Sequence, residues 1–220
     1  MLVPRGTDPA AQGYEDADPA VVLIADDGPA GLSRITCPPR AQGDLVARHL
    51  SGLGRRRAAV LGVTDPADRW TEACEAALRR AGLEVPPQAV IRLSGPDGVR
   101  GGVEAVARLL HQGTDVEAVV CHDDAIASGA LSTLLRRGAR VPEDVVVIGR
   151  GDTEAAAFAI PPLTSVSCAA EATAAGVMAR FRARLADPLP QPRTVEVAPA
   201  LTVRRSSSLM PAGPPEPSGT

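Results

Sequence analysis

The fold class is decided by the stretch EAVVCHDDAIASGALSTLLRRGARVPEDVVVIG, residues 117–149. Its two ends, Glu117–Cys121 and Asp144–Ile148, are short valine-rich runs, which are typical of buried strands. Between them, Asp124 to Arg137 has a helical pattern that stops at Gly138. A strand, a helix and a strand in this order predict two parallel strands joined by a crossover helix. Three consecutive valines suit a strand that is buried on both faces.

The same alternation extends in both directions along the chain. Further strands are predicted at 20–25, 33–37, 58–63, 89–93, 163–167, 194–197 and 201–203. Further helices are predicted from Pro38-Pro39 to about residue 53, at 68–81, around the stripe Val99, Val103, Val106 and Leu110, and at 169–185. The order over residues 58–149 predicts a doubly wound α/β layer with a parallel sheet. The Ser-, Pro- and Gly-rich end from Ser206 predicts a disordered tail.

Composition excludes several classes of protein. The chain has 220 residues, of which 45% are hydrophobic and 22% charged, which is ordinary for a globular protein of one or two domains. A net charge of −3 argues against a strongly basic nucleic-acid binder. No apolar run approaches the roughly 20 residues of a membrane span, and no signal core follows the start. Four widely spaced cysteines without a CxxC motif favour reduced thiols, so we expect a cytoplasmic protein.

Polar residues follow three of the predicted strands. Ligands of parallel sheets bind beyond the carboxyl ends of the strands, so these residues are the predicted ligand-binding set. The set is Arg69, Trp70, Asp123, Asp124, Arg150 and Asp152. Each has an alternative interpretation: Asp123 or Asp124 caps the next helix, Trp70 packs as an ordinary aromatic, and Arg150 pairs with a carboxylate.

Catalytic and metal-binding patterns are absent from the sequence. Cys121 and His122 are adjacent in a predicted strand, so their side chains point to opposite faces and cannot form a nucleophile–base pair. The three histidines, His49, His111 and His122, show no metal-ligand spacing. There is neither a GxGxxG nor a GxxxxGK[ST] motif. We therefore predict no enzyme activity, no cofactor and no metal.

Several motifs together resemble the LacI/GalR family of transcriptional regulators. CHDDAIASGAL (121–131) is similar to the family block ND-x-x-A-x-GAL, and GARVPEDVVVIG (138–149) resembles G-x-x-VPEDVSVVG. IPPLTSV (160–166) is similar to PPLTTV, and ALTVRRSS (200–207) resembles the closing L-V-R-x-S. The pieces occur in the family's order from about residue 19 to residue 207. Each piece alone is weak, but the ordered set is specific.

The resemblance implies a periplasmic-binding-protein-like fold with two Rossmann-like lobes, of which the N-terminal lobe is incomplete. It implies that 1–57 and 166–187 belong to the N-terminal lobe, and that 58–165 and 193–206 form the C-terminal lobe, with 207–220 as a tail. It also implies a homodimer that binds a small effector, a sugar or a similar metabolite, between the lobes and so controls operator binding. A stand-alone small-molecule binding protein without DNA-binding activity is the competing hypothesis.

The sequence also departs from the family pattern. The helix-turn-helix and the hinge helix have no counterpart, and Met1 falls in the third strand of the N-terminal lobe, so we expect a fragment or a misplaced start. Operator DNA would then be reached only through the missing helix-turn-helix. The family's cleft arginine aligns with Trp70, its asparagine with Asp123, and the first aspartate of its G-[FY]-D-D motif with Gly151. We expect Trp70→Ala and Asp123→Ala to weaken effector binding without unfolding the C-terminal lobe.

Overall fold

The structure is a computed structural model that describes residues 2–3, 22–24, 33–65, 68–94, 98–186 and 193–208. Its strands are β1 (Leu2–Val3), β2 (Val22–Ile24), β3 (Ser33–Thr36), β4 (Ala58–Val63), β5 (Val90–Leu93), β6 (Ala118–Cys121), β7 (Val146–Arg150), β8 (Thr164–Cys168), β9 (Thr194–Glu196) and β10 (Pro199–Thr202). Its α-helices are α1 (Pro39–Gly52), α2 (Trp70–Arg80), α3 (Gly98–His111), α4 (Asp124–Arg136), α5 (Glu154–Ala157) and α6 (Ala170–Ala186). Within these residues the strands form one six-stranded and one four-stranded sheet.

The six-stranded sheet has the order β10-β8-β7-β6-β4-β5. All of its pairings are parallel except that of β10 with β8. The valines of β6 and β7 are at most 1% exposed, because helices cover both faces of the sheet. The predicted doubly wound α/β fold is confirmed.

The two faces of this sheet have separate cores. On one face, Val46 and Leu50 of α1 and Leu78 of α2 pack against β4, β6 and β7. On the other face the core is built mainly from α3 and α4. The last two helices touch through glycine: a Cβ on Gly102 would lie 2.0 Å from the Ile126 carbonyl oxygen. This close approach makes α3 and α4 a single layer.

The four-stranded sheet has the order β1-β2-β3-β9, with every pairing parallel. Its described core is small and includes Val22, Ile35 and Val197, with Val177 of α6 packed against them. The chain passes between the two sheets three times, after β3, after β8 and after β9. Each crossing leaves the carboxyl end of its strand, so the carboxyl edges of the two sheets face each other.

The packing differs from the predicted division of the chain at several points. The α1 helix, predicted with residues 1–57, packs on the six-stranded sheet because its apolar stripe is buried against β4 and α2. The β9 strand, predicted with residues 193–206, pairs instead with β3. Ser206 and Ser207 were expected at the start of a disordered tail, but both are buried. Ser206 donates a hydrogen bond to the Val147 carbonyl oxygen at 2.6 Å. The rest of the predicted tail, from residue 209, lies outside the described residues.

Candidate functional site

Three neighbouring strands, β4, β6 and β7, end side by side at the edge that faces the other sheet. Trp70 begins the helix after β4, His122 follows β6, and Arg150 ends β7. The ring centroids of Trp70 and His122 are 5.7 Å apart in an edge-to-face arrangement. The Arg150 Cζ atom lies 5.6 Å from the centroid of the Trp70 ring. We call these residues, together with Asp68, Asp123 and Gln42, the edge cluster.

Asp68 is a member of the edge cluster that the sequence did not reveal. Its carboxylate accepts hydrogen bonds from the backbone N–H groups of Trp70 at 3.0 Å and Thr71 at 3.3 Å, and from the Thr71 hydroxyl. Gly62 makes this approach of α2 to β4 sterically allowed, because a Cβ there would lie 2.2 Å from Thr71 Oγ1. The Asp68 side chain is 7% exposed. Asp68 therefore fixes the start of α2 and places a buried carboxylate beside His122.

His122 lies between two carboxylates. Its Nε2 is 3.4 Å from Asp68 Oδ1, and its Nδ1 is 3.8 Å from Asp123 Oδ2. Burial lowers the pKa of His122, but the Asp123 and Asp68 carboxylates outweigh burial, and the net pKa is raised. Burial acts to raise the pKa of Asp68 and of Asp123, but the contact with His122 and the other hydrogen bonds lower both values. The edge cluster thus favours its charged forms.

Arg150 supplies the second cation. Its Nε donates a hydrogen bond to Gln42 Oε1 at 3.0 Å, and its Nη1 is 3.4 Å from His122 Nε2. A guanidinium over an indole face is attracted by the ring quadrupole, by about 0.5–2 kcal/mol depending on solvation. Arg150 is therefore held by the Trp70 ring, an amide and an imidazole at the open side of the sheet edge.

Asp123 combines two of its predicted roles. Its Oδ1 accepts a hydrogen bond from the Ile126 backbone N–H at 2.7 Å, so Asp123 caps α4. Its side chain is nevertheless 43% exposed, and its other oxygen points toward His122. Asp123 is thus both a helix cap and a carboxylate of the edge cluster that a ligand can reach.

Asp124 and Asp152 lie in separate internal networks. Asp124 is 3% exposed and accepts hydrogen bonds from the Thr153 N–H at 2.8 Å, the Thr153 hydroxyl at 2.9 Å and the Ser165 hydroxyl at 2.6 Å. Asp152 pairs with Arg204 at 2.7 Å. These carboxylates hold the loop after β7 against its neighbours, so we leave both out of the proposed ligand-binding set.

The remaining two predicted residues differ in exposure. Arg69 is exposed at the start of α2. Trp70 is 1% exposed and belongs to the core on the α1–α2 face, which agrees with its alternative interpretation as a packed aromatic. Two buried nitrogens of the edge cluster, Trp70 Nε1 and His122 Nδ1, have no hydrogen-bond partner among the described residues. Buried polar atoms are rarely left unpaired, so the edge cluster has free hydrogen-bonding capacity.

Metal-binding and membrane features were also searched for among the described residues. They contain no group of three or more histidine, cysteine, aspartate or glutamate side chains placed to hold a metal ion. None of the described helices combines the length and the apolar character needed to cross a membrane.

Comparison with known proteins identifies the family. Residues 47–207 match a family model described as "Periplasmic binding protein-like domain". The chain belongs to this family. It is 32% identical over 168 residues to the ribose operon repressor of Escherichia coli (strain K12), covering 75% of this chain and 50% of that protein. It is 41% identical over 91 residues to the transcriptional repressor CytR of the same strain, covering 41% of this chain and 26% of CytR. The chain thus spans about half, or less, of the length of the curated relatives it matches.

Solved structures give the same result. A LacI-family regulator from Sanguibacter keddieii has a TM-score of 0.76 and 31% identity, covering 87% of this chain and 73% of that one. The transcriptional regulator CelR in complex with cellobiose has a TM-score of 0.78 and 27% identity, covering 94% of this chain and 64% of that one. The predicted LacI-type resemblance and the periplasmic-binding-protein-like fold are confirmed. The quoted relatives are repressors and regulators, which favours a function other than catalysis.

Proposed function

We propose that the chain is the ligand-sensing domain of a LacI-type transcriptional regulator, and that it binds a small sugar-like effector between its two sheets. The observation that carries this proposal is the edge cluster, where Asp123, His122 and Arg150 meet at the edge facing the second sheet. Sugar hydroxyls need paired donors and acceptors beside an apolar surface. The Asp123 carboxylate supplies acceptors, while the Arg150 guanidinium and the His122 ring supply donors.

Regulation follows from the position of this site. A ligand that contacts both carboxyl edges favours one angle between the sheets over others, because it has different contacts in each arrangement. In the proposed whole regulator, that angle controls binding to operator DNA through a helix-turn-helix, which this sequence does not contain. A cytoplasmic location belongs to the same proposal.

Thermal shift of the chain with a panel of pentoses, hexoses and disaccharides, including cellobiose, tests this proposal. A hundredfold excess of ligand over its Kd stabilises a protein by about 2.7 kcal/mol, or about 5–10 °C in Tm for a chain of this size. We expect a shift of this order with at least one sugar, and its loss in Arg150→Met. A panel without any stabilising sugar would contradict a sugar effector.

We also propose that the chain forms a homodimer through an apolar face on the α3–α4 layer. Large apolar side chains are exposed there: Val99 by 53%, Val103 by 38%, Leu135 by 38%, Phe158 by 78% and Ile160 by 86%. A surface groove of about 280 Å³ lies on the same face, lined partly by Leu131, Leu135 and Ile160. Exposed apolar clusters of this kind are typical of contact surfaces, and a second copy can bring the same side chains to the groove by two-fold symmetry.

Light scattering after size exclusion tests the proposed dimer. We expect a mass of about twice 22.6 kDa for the chain and about 22.6 kDa for Phe158→Arg, since a buried guanidinium without a partner disrupts an apolar interface. Leu53→Arg is the matched control, because Leu53 is 39% exposed at the end of α1, away from this face. A monomeric chain, or a Phe158→Arg variant that stays dimeric, would contradict the proposed face.

A further inference from the structure

Gln42 is a fully buried polar side chain near the start of α1. Its Nε2 donates a hydrogen bond to the Cys37 carbonyl oxygen at 2.8 Å. Its Oε1 accepts the hydrogen bond from Arg150 Nε at 3.0 Å. A carbonyl oxygen can only accept and a guanidinium can only donate, so these two partners allow a single orientation of the Gln42 amide.

The two partners of Gln42 belong to different parts of the molecule. Cys37 lies in the first crossing, between β3 of the four-stranded sheet and α1 on the six-stranded sheet. Arg150 lies in the edge cluster, 108 residues further along the chain. The start of α1 has no side-chain cap, because Pro38 stands at the capping position. Gln42 therefore provides a side-chain contact that secures this crossing.

We propose that Gln42 is a positioning residue that holds Arg150 in the ligand site and ties it to the crossing between β3 and α1. The proposal rests on the function proposed above and adds a route from the site to the crossing. A ligand that draws the Arg150 guanidinium away leaves Gln42 Oε1 buried without a donor. Such an acceptor is unfavourable, so the Gln42 side chain and the crossing next to it rearrange together with Arg150.

Trp70 gives a readout of this network that needs no ligand. It is the single tryptophan of the chain, and it contacts both His122 and Arg150. Protonation of an adjacent imidazole changes tryptophan emission, so fluorescence against pH reports the titration of His122. Asp68, Asp123 and Arg150 are the charged groups that act on His122, and the positive charge of Arg150 lowers its pKa.

The test compares the fluorescence titration of the chain with those of Gln42→Met, Arg150→Met and the double variant. Loss of Gln42 releases Arg150 from His122, so we expect the midpoint to move up by about half a pH unit. We expect Arg150→Met to give a similar shift and the double variant no further shift, because both changes remove the same contact. Thr133→Val is the control, since this buried hydroxyl bonds to Gly129 within α4. A merely structural role for Gln42 would leave the midpoint unchanged.

Amide hydrogen exchange tests the connection to the crossing. We expect Arg150→Met to raise exchange of the residue 42–46 amides about threefold, and to have no further effect in the Gln42→Met background. Gln42→Glu separates the two contacts: it keeps an acceptor for Arg150 but loses the donor to Cys37. We expect it to raise exchange at the crossing while the emission maximum of Trp70 stays unchanged.

The proposal is overturned if the fluorescence of the chain does not titrate, if the shifts of Gln42→Met and Arg150→Met add, or if Arg150→Met leaves exchange at the crossing unchanged. These measurements use the free chain. They can therefore fail while a sugar still binds, or succeed while no sugar in the panel binds.

Discussion

Trp70→Ala lowers the free energy of unfolding by about 3–5 kcal/mol, the usual cost of deleting a large buried aromatic side chain. Trp70 is 1% exposed and packs among the apolar side chains of α1, α2, β4 and β7. Its removal also takes away the ring beneath Arg150 and beside His122. This expectation corrects the sequence-based one, in which the alanine variant keeps the six-stranded lobe stable.

Urea denaturation followed by circular dichroism measures the effect of Trp70→Ala, because the variant lacks the only tryptophan. Trp70→Phe is the matched variant: it keeps an aromatic ring in the core and should lose clearly less stability. A loss below about 1 kcal/mol in Trp70→Ala would contradict the core position. Only a variant that remains folded, such as Trp70→Phe, can show whether the ring also affects ligand affinity.

Asp124→Ala has the second-largest expected effect, a loss of about 3 kcal/mol of stability. The change leaves the Thr153 N–H and the Thr153 and Ser165 hydroxyls without their buried acceptor. The carboxylate also fits closely against β7, since a Cβ on Gly149 would lie 2.3 Å from Asp124 Oδ1. Asp124 thus joins the start of α4 to the loop after β7 and to β8.

The same urea measurement compares Asp124→Ala with Asp115→Ala. Asp115 pairs with Arg57 at 2.8 Å, but its side chain is 78% exposed, and exposed pairs contribute little. We expect the Asp115 variant to stay within about 0.5 kcal/mol of the unchanged chain. Equal losses in the two variants would show that Asp124 is not the buried acceptor described here.

The fold was predictable because its signal is local. Valine runs and helical stripes along residues 58–149 follow directly from burial on both faces of a sheet, and the observed elements lie within a few residues of the predicted ones. The division into lobes was less predictable. Which sheet receives α1 or β9 depends on pairing between distant residues, and no local pattern encodes that choice.

The candidate site was predicted only in part, for a physical reason. The rule that ligands bind at the carboxyl ends of parallel strands located Trp70, Asp123 and Arg150 correctly at one edge. It gave no means to separate Asp123, which stays partly exposed, from the adjacent and fully engaged Asp124. Other members of the edge cluster were missed because their partners are distant in sequence.

Two missed residues illustrate this. Gln42 lies on a helix whose sequence gives no sign of Arg150, 108 residues away. Asp68 precedes a predicted helix, where an aspartate is expected as an ordinary cap, and its closeness to His122 follows only from the order of β4 and β6 in the sheet. The one available signal was position: Asp68 and His122 both lie just beyond the ends of neighbouring parallel strands.

The most direct test of the central claim is calorimetric titration of the chain and of Asp123→Asn with the sugar that gives the largest thermal shift. Asparagine caps a helix as well as aspartate does, so this variant removes the charge while it keeps the start of α4. Loss of a charged hydrogen bond predicts an affinity lower by about tenfold or more, with Glu104→Gln on the exposed face of α3 as the unaffected control. Equal affinity of Asp123→Asn and the unchanged chain would contradict the placement of the ligand at the edge cluster.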